Sequence, residues 1–191
     1  MATELRRVVF VLLPGTHPGC LMPALSVLLS ANRMAEELCY QIECCTLDEQ
    51  SMRAADGLLL QPSPLEQCAP GFAQLWLVAE HLSASDQLPD WLAPRLQQWQ
   101  SEGVLIGGLE GGVAALAASG LLDGGQCAVH WRMVDEFRER FPAVEAITQL
   151  FTREAQVCSS SGGQAGTDLL LAIVAQEQGQ DLAALVAEDL V

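Results

Sequence analysis

The chain alternates between short apolar runs and longer segments in which apolar residues recur every three or four positions. Short runs rich in Val, Ile and Leu predict buried strands, whereas recurrence at three and four predicts helices with one buried face. The predicted strands are 6–13, 40–47, 57–61, 75–79, 104–106, 127–130, 151–152 and 157–159. The predicted helices are 21–38, 90–102, 113–118, 133–141, 166–178 and 181–191. This order predicts an α/β fold with a mainly parallel sheet and helices on both faces.

Residues with positional preferences suggest where helices begin and which faces they bury. Asp90 is predicted to cap the second helix, and Ser160 or Ser161 the fifth, because short polar side chains accept from free N–H groups there. Trp91 and Trp99 lie eight residues apart on one face of the second helix, so we predict that both belong to the core.

The glycine-rich stretch around Glu110 predicts a sharp strand–turn–helix connection. Val104 to Ile106 is a short apolar run, glycines surround Glu110, and an Ala/Leu-rich segment follows. This is the arrangement of a nucleophile elbow, whose apex residue stands in a cleft. The N–H groups that open the next helix, beginning with Gly111, are expected beside it. An elbow normally presents Ser or Cys, and here it presents Glu110.

Charge and composition narrow the classes of function. The 191 residues suit one domain, and 24 acidic against 9 basic residues give a formal charge of −15. Phosphate backbones repel such a chain, so any DNA contact is expected from another domain. No apolar run approaches the roughly 18 residues of a membrane span, and no signal peptide is recognisable, which predicts a cytoplasmic protein without membrane contact.

The seven cysteines and three histidines show no metal or disulfide pattern. The cysteines are scattered, odd in number and without Cys-x-x-Cys, so most are expected to be reduced core residues. The histidines at 17, 81 and 130 lack ligand spacing, and we predict neither a metal nor a cofactor.

Several polar residues follow predicted strands, at the sheet edge where open α/β sheets bind ligands. Glu80 and His81 come directly after strand 75–79, and His130 with Trp131 would add an aromatic face suited to a cation. The alternatives are that Glu80 and His81 are solvated loop residues and that Trp131 packs in the core or at an interface. The candidate ligand-binding residues are Gly15, His17, Glu80, His81, Glu110, Gly111, His130 and Trp131.

Specific motifs then point to a family. They are Ile-Gly-Gly-Leu-Glu-Gly-Gly at 106–112, Gly-Leu-Leu-Asp-Gly at 120–124, His-Trp at 130–131, Glu-Phe-Arg-Glu-Arg-Phe-Pro at 136–142 and Ser-Ser-Ser-Gly-Gly-Gln-Ala-Gly-Thr-Asp at 159–168. With these motifs the whole chain resembles the N-terminal ligand-sensing domain of GlxA-type, AraC-family transcriptional regulators. That group is a branch of the class I glutamine amidotransferase-like (PfpI-like) superfamily.

The resemblance implies an architecture and a set of partners. It implies a flavodoxin-like three-layer sandwich, with residues 1–191 forming a single amidotransferase-like domain. It also implies a helix-turn-helix DNA-binding domain after residue 191, a homodimer and a small-molecule effector. The chain ends within a predicted helix, as expected if it continues into that second domain.

The sequence departs from the enzymes of the superfamily at their catalytic positions. Those enzymes use an elbow Cys, a carboxylate from the loop or helix after the first strand, a nearby His, and an oxyanion glycine. Here the elbow is Glu110, the acid position falls at about Cys20 or Ser26, and the glycine segment reads 78-Val-Ala-Glu-His-81. Only His130 matches. The resemblance therefore implies a catalytically inactive domain.

The function expected from these observations is sensing. Regulators of this branch with an acidic elbow residue resemble sensors of cationic amines or amino-acid-like metabolites, with Glu110 as a fixed anion. Alternatively, Glu110 accepts from its own helix amides or pairs with Arg132 or Arg153. Two rival functions stay open: a PfpI-like hydrolase or lyase with displaced catalytic residues, and a pseudoenzyme that serves only dimerisation.

Overall fold

The computed structural model describes residues 5–47, 52–53, 59–60, 62–68 and 70–191. Its strands are β1 (Arg6–Leu12), β2 (Tyr40–Thr46), β3 (Met52–Arg53), β4 (Leu59–Leu60), β5 (Ser63–Pro64), β6 (Gln74–Ala79), β7 (Leu105–Glu110), β8 (Gln126–Ala128), β9 (Glu145–Ile147), β10 (Phe151–Glu154) and β11 (Val157–Ser160). Its α-helices are α1 (Pro18–Met34), α2 (Leu92–Ser101), α3 (Val113–Ala118), α4 (Val134–Arg140), α5 (Gln164–Gln178) and α6 (Gln180–Asp189). Two 3-10 helices cover Leu65–Gln67 and Leu82–Gln87.

The central sheet of the described chain has seven strands in the order β10-β11-β7-β6-β1-β2-β5. Neighbouring strands are parallel except for β10, which runs antiparallel to β11. Small two-stranded sheets join β3 to β4 and β8 to β9. The mainly parallel sheet predicted from the sequence is confirmed.

Helices cover both faces of this sheet. Successive strand side chains point to opposite faces. On β1, Val9 and Val11 pack in a core cluster with residues of α2, α3 and α4, while Val8 and Phe10 pack with residues of α1, α5 and α6. This confirms the three-layer sandwich. No helix in the described part of the chain is long and apolar enough to cross a membrane.

Helix α1 begins earlier and ends earlier than the predicted 21–38. It spans Pro18–Met34, with His17 at its N-cap, where Nδ1 accepts from the N–H of Gly19 at 2.9 Å. Proline suits the first helical position because its φ is already helical and it has no N–H to leave unpaired. The helix start was predicted too late because His17 is the N-cap, where Ser, Thr, Asp or Asn is usual.

Both predicted caps were wrong. Helix α2 follows Trp91 as N-cap, and no side chain caps it, so Asp90 does not have the predicted role. Helix α5 follows Gly163, whose φ is 55°, again without a side-chain cap. The hydroxyls of Ser160 and Ser161 bond other backbone groups instead, and tertiary placement of the loop decided the outcome.

The strand predictions differ from the structure in several places, and β3 and β5 were not predicted. β7 continues to Glu110 instead of stopping at 106, and β9 was not predicted because three residues carry no readable alternation. Of the predicted strand 57–61, Leu59–Leu60 forms β4, whereas 57, 58 and 61 lie outside the described residues.

Two cysteines form a disulfide that the sequence did not predict. Cys45 on β2 is bonded to Cys68, which follows the first 3-10 helix, with a sequence separation of 23. No spacing signature marks such a pair, because the parallel pairing of β2 with β5 brings the two segments together. As expected, most cysteines are free, namely Cys20, Cys39, Cys44, Cys127 and Cys158.

Candidate functional site

The connection from β7 to α3 has the sharp geometry that the glycines predicted. Glu110 at its apex has a φ of 54°, in the left-handed region that non-glycine residues rarely adopt. A Cβ at Gly111 would lie 2.6 Å from the backbone of His81, and one at Gly112 would lie 2.0 Å from the carbonyl oxygen of Leu77. The close approach of β6 therefore requires glycine at both positions.

A cavity of about 290 Å³ opens in front of this turn, at the carboxyl ends of β1, β6, β7 and β11. Its lining residues are His17, Gly19, Cys20, Glu80, Glu110, His130, Gly162 and Gly163. The fold thus brings together four residues that the sequence singled out, His17, Glu80, Glu110 and His130. We call this space the elbow cavity.

Gly15 and Gly111 are not among the residues that line the elbow cavity. Gly15 is exposed in the turn after β1, where its φ is 79°. The N–H of Gly111 donates to the carbonyl oxygen of Ala79 at 2.8 Å. This donor is therefore used within the fold, and the role of Gly111 is to let the chain turn beneath Glu110.

His81 and Trp131 lie beside the elbow cavity without lining it. The His81 side chain is 68% exposed, and its Nε2 is 3.8 Å from a carboxylate oxygen of Glu80. Trp131 is 67% exposed and stacks on His130 with ring centroids 5.7 Å apart. The guanidinium carbon of Arg132 lies 5.0 Å from the Trp131 ring centroid on this outer surface.

Cys20 contributes a thiol to the lining of the elbow cavity. It lies in the first turn of α1, is 5% exposed, and hydrogen-bonds to the carboxylate of Glu110. Burial, followed by the hydrogen bond and negative charge of Glu110, raises the pKa of this thiol to about 12. The thiol is therefore protonated at neutral pH and is not a nucleophilic thiolate. Ser26, the other position considered for the missing acid, lines a different cavity.

Gly162 forms the wall of the elbow cavity nearest to Glu110. Its φ is 103°, and a Cβ there would lie 2.7 Å from Cγ of Glu110. Sequence reasoning missed Gly162 and Gly163 and treated this run only as the start of a helix. Their position follows from the parallel pairing of β11 with β7, where Ser160 is opposite Leu109.

The carboxylate of Glu110 has no cationic partner among the residues that the structure describes. No arginine or histidine nitrogen lies within 4.0 Å of it, and no backbone N–H in this part of the chain donates to it. Arg132 stacks on Trp131, and Arg153 lies on β10. Neither alternative role of Glu110, ion pairing or capping its own helix, is observed.

Several curated transcriptional regulators are similar in sequence to this chain. No protein-family model matches. The HTH-type transcriptional regulator ArgR of Pseudomonas aeruginosa is 36% identical over 195 residues, covering 100% of this chain and 57% of the regulator. The HTH-type transcriptional regulator GlxA of Rhizobium meliloti is 26% identical, covering 84% of this chain and 50% of that protein. The chain is a relative of GlxA-type, HTH-type transcriptional regulators. It spans about half the length of the curated relatives it matches.

Solved structures share the fold of this GlxA-type chain. An AraC family transcriptional regulator from Pseudomonas putida has a TM-score of 0.83 at 24% identity, covering 97% of this chain and 100% of that one. A THiJ/PfpI family protein from Pseudomonas syringae has a TM-score of 0.80 at 19% identity, covering 96% and 74%. The PfpI-like architecture expected from the motifs is therefore confirmed.

Both histidines of the elbow cavity in this GlxA-type domain are held in one tautomer when neutral. The Nδ1 of His17 accepts from the N–H of Gly19 at 2.9 Å, and the Nδ1 of His130 accepts from the N–H of Arg132 at 3.3 Å. A neutral imidazole that accepts at Nδ1 carries its proton at Nε2. Each ring can thus donate an Nε2–H to an acceptor.

Taken together, the polar groups of the elbow cavity divide into acceptors and donors. The carboxylates of Glu80 and Glu110 accept hydrogen bonds and attract positive charge, while His17 and His130 can donate. Among the described residues, no arginine lines this cavity. Its chemistry therefore suits a small cation that also carries an acceptor group.

Proposed function

We propose that this chain is the catalytically inactive effector-binding domain of a bacterial transcriptional regulator, and that its elbow cavity binds a small cationic amine or amino-acid-like metabolite. The observation that carries the proposal is the Glu110 carboxylate, which faces the cavity without a cationic partner among the described residues. Glu80 adds a second negative charge nearby. An ammonium or guanidinium group would supply charge-assisted hydrogen bonds to these oxygens.

The histidines extend the proposal to amino-acid-like ligands. Because Nδ1 of His17 and of His130 accepts a backbone N–H, Nε2–H remains as a donor for a ligand carboxylate. The cavity volume of about 290 Å³ favours a ligand of amino-acid size. One end of such a ligand would be cationic and the other anionic.

Three features support the absence of hydrolase or lyase chemistry in this proposal. The elbow apex is Glu110, the Cys20 thiol is protonated because its pKa is raised to about 12, and the N–H of Gly111 is already bonded within the fold. A thiolate nucleophile and available oxyanion donors are what acyl-transfer chemistry on such an elbow requires. The rival hypothesis of a hydrolase or lyase predicts that one cysteine is alkylated much faster than the others.

The regulator reading assigns DNA contact to a domain outside this chain. A formal charge of −15 opposes binding of these residues to phosphates, and the relatives are about twice as long as this chain. We propose that the domain acts in the cytoplasm as a homodimer. The effector must then bind one arrangement of the domains more tightly than the other, because equal affinity shifts nothing.

The test is a thermal-shift screen of this chain against small amines, betaines and basic amino acids, with neutral and anionic compounds as controls. At 100 times its dissociation constant a compound stabilises by about 2.7 kcal/mol, which raises Tm by roughly 5–10 °C at this size. Glu110→Gln should abolish the shift, whereas Glu139→Gln, which removes one exposed carboxylate on α4, should leave it unchanged.

Other outcomes would point elsewhere. A neutral or anionic compound that shifts Tm equally in Glu110→Gln would keep the sensor and remove the role of Glu110. Self-association with no shift from any compound would favour the dimerisation-only pseudoenzyme.

A further inference from the structure

A second and larger cavity, about 490 Å³, lies on the α2 side of the sheet. Its lining residues are Leu65, Glu66, Cys68, Pro70, Phe72, Trp91, Arg95 and Trp99. None of them lines the elbow cavity. We propose that this α2 cavity is a separate binding site for a small aromatic carboxylate.

The aromatic part of the proposal rests on the floor and on one wall of the α2 cavity. Phe72, 7% exposed, meets the ring of Trp99 edge to face, with centroids 5.1 Å apart. Arg95 and Trp99 lie four residues apart on one face of α2, and Trp91, its N-cap, precedes Arg95 by the same spacing. The sequence predicted Trp91 and Trp99 as core, yet both are only partly buried and also line this space.

The volume also suits a small molecule. Ligand sites commonly measure about 300–1,000 Å³ and combine mostly apolar walls with a few polar groups. The α2 cavity falls within that range, and its apolar walls are broken by two charged side chains, Glu66 and Arg95. The apolar walls can therefore contact a flat apolar ring, while the two charged side chains determine where a charged group of the ligand lies.

Arg95 supplies the charge that selects a carboxylate. Its guanidinium carbon lies 5.5 Å from the Trp99 ring centroid, and Nη1 donates to the side-chain oxygen of Gln98 at 3.1 Å. Over the described ranges no Asp or Glu oxygen lies within 4.0 Å of Arg95, whereas Arg33 and Arg140 are each paired with an acid. In this part of the chain Arg95 shares the lack of an acidic partner with Arg132 and Arg153, but neither of those lines the α2 cavity.

Glu66 on another part of the lining makes the site directional. It would repel a carboxylate placed beside it, so the anionic end of a bound molecule belongs at Arg95. The wall that contains Glu66 is fixed covalently, because Cys68 is bonded to Cys45 of β2. This bond ties that part of the lining to the sheet, which limits the conformational freedom it can lose on binding.

The test uses three probes with one aromatic body and different charge: 4-(trifluoromethyl)benzoate, the corresponding benzamide and the corresponding benzylamine. Fluorine NMR titrations of the 191-residue chain without reductant measure their affinities. We expect the benzoate to bind at least about tenfold more tightly than the other two. Arg95→Gln should weaken benzoate binding about tenfold, as loss of one charge-assisted contact does.

The matched control is Arg132→Gln, because Arg132 also lies over an exposed tryptophan ring but lines neither cavity. Benzoate affinity should not change in this variant. Circular dichroism and Tm of each variant establish that it is folded. No benzoate binding at 10 mM, equal binding of all three probes, or insensitivity to Arg95→Gln would each overturn the proposal. The last result would place the benzoate elsewhere, for example at the histidines of the elbow cavity.

Discussion

Glu110 has a backbone conformation that is unfavourable for residues with a Cβ. Its φ of 54° lies in the left-handed region, and this backbone conformation costs an L-residue roughly 1–2 kcal/mol. Gly111 and Gly112 hold it there, because the backbone of His81 and the carbonyl of Leu77 pass too close for any larger residue. Strain that the surroundings enforce is typical of functional sites, and here it holds a carboxylate at the floor of a cavity.

Gly162 provides a direct test of where that carboxylate lies. Gly162→Ala puts a Cβ 2.7 Å from Cγ of Glu110 at a φ of 103°, so we expect a loss of about 1–3 kcal/mol of unfolding free energy and weaker effector binding. Gly163→Ala is the control for backbone strain alone, because its φ is also positive (55°, with ψ −129°) but no atom lies within 4 Å of the added Cβ. Urea denaturation measures both variants. Equal losses would mean that Glu110 does not occupy the space beside Gly162.

At the scale of elements, the turn could be predicted and the opposite wall of its cavity could not. The strand, glycines and helix around Glu110 are contiguous, so local rules were sufficient. Gly162 reaches the same cavity only through the pairing of β11 with β7, a contact between segments about 50 residues apart. His17 was singled out as a loop residue after the first strand and His130 because it matches the family motif, whereas the thiol of Cys20 lies within the first turn of a helix whose start was misplaced.

The bond between Cys45 and Cys68 gives a prediction about the sheet edge. A disulfide that closes a loop of this length stabilises by about 3 kcal/mol in the chain-entropy description, through the unfolded state. Cys68→Ser should therefore lower Tm by roughly 6–12 °C under non-reducing conditions. Cys44→Ser, which removes the neighbouring free thiol, should change Tm little. Differential scanning calorimetry with and without reductant measures this, and an unchanged Tm in Cys68→Ser would show that the bond does not form in solution.

Over the whole molecule, we propose ligands of opposite charge for the two cavities. Among the residues that the structure describes, the elbow cavity presents Glu80 and Glu110 and no arginine, while the α2 cavity presents Arg95 beside aromatic rings and Glu66 elsewhere in its lining. In a chain of charge −15 the general field favours cations everywhere, so selectivity for an anion has to come from local groups. Binding of a cationic and an anionic molecule at separate sites would let one domain respond to two chemical signals.

Buried thiols make the stability of the whole chain depend on pH. Cys127 and Cys158 have no exposed surface, and burial raises the pKa of each thiol from 9.0 to about 12. Below pH 9 these thiols are protonated in both folded and unfolded chains and have no effect. Between pH 9 and 12 only the unfolded chain releases their protons, so the free energy of unfolding falls as pH rises.

We expect each of these thiols to cost about 1 kcal/mol of stability by pH 10. Urea denaturation at pH 8, 9 and 10 in degassed buffer measures the decrease. Cys158→Ala removes one of the two groups, so its stability should fall less steeply over this range, even though its stability at pH 8 is lower from lost packing. Val157→Ala is the control, because it removes buried side-chain volume next to Cys158 on β11 without removing a titrating thiol. An identical pH slope in Cys158→Ala and the parent chain would show that Cys158 does not remain protonated in the folded state.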